Sequence, residues 1–213
     1  MHFTPSTRRR VIIGISGATG TTYGLRLLET LRCLDVETHL VITKAGERTL
    51  AYETDCKLRD VRAMADVWYS DADIGATIAS GSFRTMGMIV APCSVRSLAA
   101  IASGQTDGLL TRAADVCLKE RRRVVLMFRE TPLHAGHIRS MAQATENGAI
   151  LFPPVPAFYD RPGSLDDMVN HTVGRVLDLF DIDAGLVRRW NGRPPAAEQT
   201  AFDNSAQETV LCR

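Results

Sequence analysis

Glycine recurs at every third position of Gly14-Ile15-Ser16-Gly17-Ala18-Thr19-Gly20, and the residues between are mostly small or hydroxylated. Branched apolar residues (Val11, Ile12, Ile13) precede this run, which breaks the apolar pattern at Gly14, and the periodic leucines Leu25, Leu27, Leu28 and Leu31 follow it. That order spells a buried strand, a tight turn and the first turn of a helix. Glycine at 14, 17 and 20 allows positive φ and close approach of a ligand, while free N–H groups at a helix start attract an anion. Ser16, Thr19, Thr21 and Thr22 add hydroxyl donors, so a phosphate is the natural guest. A tight turn without a ligand is the competing reading. Three better-known loops do not match. Ser16 stands at the second glycine of G-x-G-x-x-G, no Gly-Lys-Ser/Thr follows as in a P-loop, and Ala18 replaces the last glycine of G-x-S-x-G.

Other residues have chemical potential of their own. Arg129 and Glu130 end the apolar run Val124–Phe128, which delivers a cation and an acid together. The guanidinium can bind a phosphate and the carboxyl can exchange a proton with it; a surface ion pair is the alternative. Arg112 and Lys119 lie about two helical turns apart and add positive charge. Cys93 follows a buried strand, but no histidine is placed to activate it, and a packing role suits it better. His134 and His137 share a helical face without the further ligands that zinc requires, so no metal site is expected. Tyr159 and Trp190 suit either the wall of an apolar pocket or an interface.

These residues need elements to position them. Apolar runs predict strands at Val11–Ile13, Glu37–Thr43, Met88–Ala91 (stopped by Pro92), Val124–Phe128 and Ile150–Phe152. Helices are expected after Gly20, over Lys44–Thr54, briefly over Leu58–Ala65, and over Ser97–Ala102, Leu110–Glu120 and His134–Asn147. Another starts at Ser164 with acids in its first turn and one apolar face from Leu165 to Phe180. Asp55–Thr85 is otherwise loose. This alternation predicts an α/β, three-layer sandwich on a parallel sheet with right-handed crossovers. Ligands in such sheets collect beyond the carboxyl ends of the strands. The expected pocket therefore gathers Gly14–Gly20, Thr43 and Lys44, Cys93–Ser97, Arg129 and Glu130, and Pro153–Tyr159.

The 213 residues suit one domain, taken here as 1–192, with a polar C-terminal arm at 193–213. A net charge of +1 gives no general case for nucleic acid or a membrane surface. Five cysteines without a C-x-x-C pair fit a reduced, cytoplasmic compartment. No apolar run approaches the roughly 20 residues needed to cross a bilayer, and the N-terminus has no signal-peptide pattern.

Several long motifs together carry a resemblance. GISGATG (14–20), TLAYET (49–54), SGSFRTMGMIVAPCS (80–94), RAADVCLKERR (112–122), FRETPL (128–133) and PAFYDRP (156–162) resemble the UbiX-type flavin prenyltransferases. The likeness runs from about Arg10 to Gly192 and is greatest to the branch accompanying phenolic-acid and hydroxybenzoate decarboxylases. It implies a flavodoxin-like or Rossmann-like fold, a homododecamer and a metal-independent alkyl transfer. In that reaction dimethylallyl phosphate alkylates reduced FMN at N-5 and C-6, closing a fourth ring and releasing phosphate. The prenylated FMN then serves a separate UbiD-type decarboxylase.

Carried over by position, Gly17, Ala18, Thr19, Thr43, Ser94, Val95, Arg96 and Ser97 hold FMN, with Arg129 at its phosphate or ring. Arg112, Lys119, Glu130, Tyr159, Arg175 and Trp190 form the prenyl-phosphate site, shared between subunits. Glu53, Glu130 and Ser16 are the catalytic candidates. Cations favour the departing phosphate, Glu130 can protonate it, and aromatic faces stabilise an allylic cation. Phe128, His134-Ala135-Gly136 and Arg96 depart from the family pattern at the rim of the pocket. Two other readings remain: a peptidyl-cysteine decarboxylase, for which the first helix lacks a histidine, and a non-catalytic FMN carrier or decarboxylase subunit.

Overall fold

A computed structural model describes residues 8–159 and 161–189. Its elements are β1 (Arg10–Ile15), α1 (Thr21–Cys33), β2 (Glu37–Ile42), α2 (Lys44–Glu53), α3 (Leu58–Arg62), β3 (Val67–Ser70) and β4 (Gly87–Cys93). There follow α4 (Val95–Ser103), α5 (Leu109–Lys119), β5 (Arg123–Phe128), α6 (Ala135–Glu146), β6 (Ile150–Leu151) and α7 (Leu165–Asp178). The six strands form one sheet in the order β3-β2-β1-β4-β5-β6, with every pair parallel. Chain order reverses between β1 and β4, which makes their carboxyl ends the switch point where such sheets open a crevice.

Side chains alternate across the strands, and both faces are apolar because helices cover both. Ile13, Ile15, Leu40, Ile42, Ile89, Val125 and Met127 pack with α1, α7, Leu50 of α2 and Val61 of α3. Ile12, Val41, Met88, Val90, Leu126 and Phe128 pack the other way, with α4, α5 and Ala144 of α6. This is the three-layer α/β sandwich expected from the alternation of elements.

Three details correct the sequence reading. First, β3 lies inside the stretch read as loose: VWYS is four residues long, half exposed at the sheet margin, and has no continuous apolar run to announce it. Second, β1 does not break at Gly14 but runs to Ile15. A Cβ on Gly14 would come within 2.9 Å of the Met88 Cε and 3.1 Å of the Leu110 Cδ1, so this glycine serves close packing. Of the three spaced glycines only Gly20 has positive φ (101°). Third, β4 passes through Pro92 to Cys93, with a register irregularity against β5 between Val90 and Cys93. Among the described residues no helix is long and apolar enough to cross a membrane. Trp190 and the arm at 193–213 lie outside the described residues.

Candidate active site

A cleft of about 1010 Å³ opens at the carboxyl ends of the strands. Gly17, Ala18 and Thr19 line it after β1, Thr43 and Lys44 after β2, Ser94 to Ser97 after β4, and Arg129 and Glu130 after β5. The structure therefore brings together every residue expected to hold FMN. It adds a wall that was not foreseen, from Trp68 to Ala72 with Asp107, Gly108, Leu110 and Thr111, because that wall rests on the unread strand β3.

Local geometry decides which helix starts can receive an anion. At α2 the Thr43 hydroxyl accepts the Gly46 N–H at 3.0 Å, and at α4 the Ser94 hydroxyl accepts the Ser97 N–H at 3.2 Å. Both caps are neutral; the first turn of α4 holds no acid, whereas that of α2 holds Glu47. The other two helix starts are already charged. Glu53 accepts the N–H of Gly20 at 3.0 Å, the N–H of Thr21 at 2.9 Å and the Thr21 hydroxyl at 2.8 Å. Asp71 accepts the Leu110 N–H at 2.9 Å at the start of α5. At the start of α1, where a phosphate was expected, the Glu53 carboxylate therefore occupies the N–H groups.

Burial tends to raise the Glu53 pKa. Hydrogen bonds from the Thr19 hydroxyl and from the backbone and side chain of Thr21, with the Gly20 N–H, outweigh that tendency and hold the carboxyl below its ordinary value. Gly17 lies so near α2 that a Cβ would sit 2.4 Å from that of Ala45, which fixes the turn against that helix. Lys44, Arg96 and Arg129 line the cleft and make no ion pair among the described residues, while Glu47, Asp71, Asp107 and Glu130 line it as well. Arg129 and Glu130 do not pair with each other; the Glu130 carboxylate accepts the Thr131 N–H at 2.9 Å.

Other candidates lie elsewhere. Ser16 is fully buried and does not line the cleft. Cys93 is also fully buried, and burial pushes its thiol far above the ordinary range, which fits packing and not nucleophilic attack. His134 caps α6 by accepting the Gly136 N–H at 2.9 Å, with the His137 ring 3.7 Å away between centroids. Arg112 pairs with Asp115 at 2.8 Å, Lys119 with Glu120, and Arg175 with Asp178 at 2.7 Å. None of these three cations, nor the exposed Tyr159, lines the cleft of its own chain. Gly108 borders the cleft at the start of α5, whereas Lys119 ends that helix beside Gly81, ahead of β5.

The family model described as Flavoprotein matches residues 2–158. Flavin prenyltransferase UbiX of Escherichia coli K12 is 58% identical over 187 residues, 86% of this chain and 99% of the relative. The chain belongs to the UbiX-type flavin prenyltransferases. A crystal structure of AnUbiX (PadA1) in complex with FMN and dimethylallyl pyrophosphate superposes with a TM-score of 0.86 at 54% identity, covering 87% of this chain and 99% of that one. A dodecameric FMN-dependent UbiX-like decarboxylase from Escherichia coli O157:H7 superposes at 0.84 with 49% identity, covering 86% and 100%. The cleft of this UbiX-type chain combines two neutral-capped helix starts with three cations that make no ion pair among the described residues.

Proposed function

We propose that this cleft holds reduced FMN, with its phosphate served by the starts of α2 and α4, and that a dimethylallyl phosphate ester is brought against it. Reduced FMN supplies the N-5 and C-6 that take the five-carbon unit, giving prenylated FMN and free phosphate. Thr43, Ser94 and Ser97 bind and orient through hydroxyls and helix-start N–H groups, and Gly17 to Thr19 close the opposite side. Arg129 offsets phosphate charge. Glu130, next to Arg129 and exposed to the cleft, holds the proton that the departing phosphate takes up. Glu53, kept ionised at the Gly20–Thr21 turn, provides fixed negative charge for an allylic cation.

The observation that carries this reading is that Lys44, Arg96 and Arg129, none of them in an ion pair among the described residues, and both neutral-capped helix starts face one cleft together with Glu130. Similarity to a structure holding FMN and dimethylallyl pyrophosphate supports it. Arg112, Lys119, Tyr159, Arg175 and Trp190 belong in this scheme as donors to a neighbouring chain's cleft, in a dodecamer like the similar one. The product would pass to a UbiD-type decarboxylase in the cytoplasm.

Glu130→Gln tests the assignment. After anaerobic incubation with reduced FMN and dimethylallyl phosphate, mass spectrometry of the flavin should show an added five-carbon unit for the unaltered protein. The variant should lose it by at least about a hundredfold while still binding FMN. Unchanged turnover in the variant would remove Glu130 from the mechanism, and no five-carbon addition by the unaltered protein would favour the carrier reading.

A further inference from the structure

The strand ends beneath the cleft are tied to one another in a line. The Thr43 N–H donates to the Ile15 carbonyl at 3.0 Å, joining β2 to β1, and the Arg129 N–H donates to the Cys93 carbonyl at 3.1 Å, joining β5 to β4. Between these links β1 meets β4 through Ser16. Its N–H donates to the Pro92 carbonyl at 3.2 Å, its hydroxyl donates to the same carbonyl at 2.9 Å, and its oxygen accepts the Ser94 N–H at 2.8 Å. The β1–β4 ladder has ended at Gly14 and Val90, β4 slips register before Cys93, and Pro92 has no N–H to continue the pairing. The Ser16 hydroxyl stands where a ladder bond is missing. Of the three Ser16 contacts, the two made by the hydroxyl can be cut by a substitution, while the N–H bond to Pro92 stays.

We propose that Ser16 is a positioning residue for the flavin site, acting through Ser94 and not through contact with substrate. Bridging Pro92 and Ser94, it sets the start of α4 against the Gly17–Thr19 turn on the facing wall. The effect passes directly into the cap, because the Ser94 hydroxyl accepts the Ser97 N–H at 3.2 Å and donates to the Ser97 hydroxyl at 3.1 Å. Without the Ser16 hydroxyl the Ser94 N–H loses its acceptor, and the start of α4 is less firmly tied to the turn after β1. The inference rests on the reading of the cleft as an FMN site.

Ser16→Ala tests it. In flavin-free protein, amide hydrogen exchange over 94–97 should quicken about tenfold, the scale set by one unsatisfied donor. With reduced FMN and the prenyl donor, KM for FMN should rise about tenfold while kcat at saturating FMN stays within about twofold. Ser16→Thr, which keeps the hydroxyl, should restore KM. Thr172→Ala removes a buried hydroxyl that donates to the Met168 carbonyl at 2.7 Å on α7, so it should lower stability without moving either readout. If the alanine variant does not fold, Ser16→Cys, with a weaker donor and acceptor, should give smaller shifts in the same direction. Unchanged exchange over 94–97, a collapse of kcat at constant KM, or an equal rise of KM in Thr172→Ala would each overturn the proposal. An unaltered protein that binds no FMN would sink the flavin reading instead, and exchange alone would then decide the role of Ser16.

Discussion

Glu53 ends α2 with its carboxylate on the N–H groups of Gly20 and Thr21, so one helix terminates by capping another. Its charge is held there because N–H donors and a helix dipole favour the ionised form. Glu53→Gln should lower stability by about 1 kcal/mol at neutral pH, the usual scale for a lost cap. Because the folded carboxyl titrates below its ordinary 4.5, its contribution is complete above that pH and is lost as the pH falls through the folded value. Denaturant titrations should therefore separate variant from parent at pH 7 and bring them together in acid. Convergence at neutral pH would show that the cap contributes nothing. Gly17, Thr43, Ser94, Arg129 and Glu130 were legible in the sequence because each follows a strand end. The capping by Glu53 was not, since its partner Gly20 lies 33 residues away and nothing in local spacing links them.

At the level of elements, β1, β2 and β3 share a polar chain centred on the buried His39. Arg10 pairs with Glu37 at 3.0 Å, Glu37 meets the Nε2 of His39 at 2.9 Å, the His39 Nδ1 meets the Tyr69 hydroxyl at 2.9 Å, and Tyr69 reaches Thr77 at 2.8 Å. Burial lowers the His39 pKa despite the raising effect of Glu37, while Arg10 also lowers it and Asp66 raises it. With Glu37 ionised, the Nε2 carries the proton and the Tyr69 hydroxyl donates to Nδ1. An unfolded chain takes a proton near the ordinary histidine value of 6.5 before the folded one does, so stability should decline as the pH drops below it. His39→Gln should flatten that slope between about pH 7.5 and 5.5 in chemical denaturation; an equal slope in both proteins would remove His39 from the effect. Helices and buried strands were readable from periodicity, whereas β3 was hidden because a short half-exposed margin strand shows neither alternation nor an apolar run.

For the whole molecule, the separation of Arg112, Lys119 and Arg175 from their own cleft matters more than any distance within it. A reaction that needs them must draw them from another copy of the chain. Mixing Lys119→Ala with Glu130→Gln, each inactive alone, should restore part of the prenyl transfer after subunit exchange, because some clefts then receive both intact groups. Mass spectrometry of the flavin checks this, and no recovery in demonstrably mixed oligomers would confine the site to one chain. Motif order identified the family and the alternation of strands and helices the sandwich, while which groups meet within one chain became visible only once helix directions were known. The sheet itself ends in small margins, four residues at β3 and two at β6, with the Arg62 guanidinium 4.2 Å over the Trp68 ring at the first. Neither offers a long bare backbone edge on which a second sheet can grow, so copies can crowd together through their side-chain surfaces without fusing into fibres.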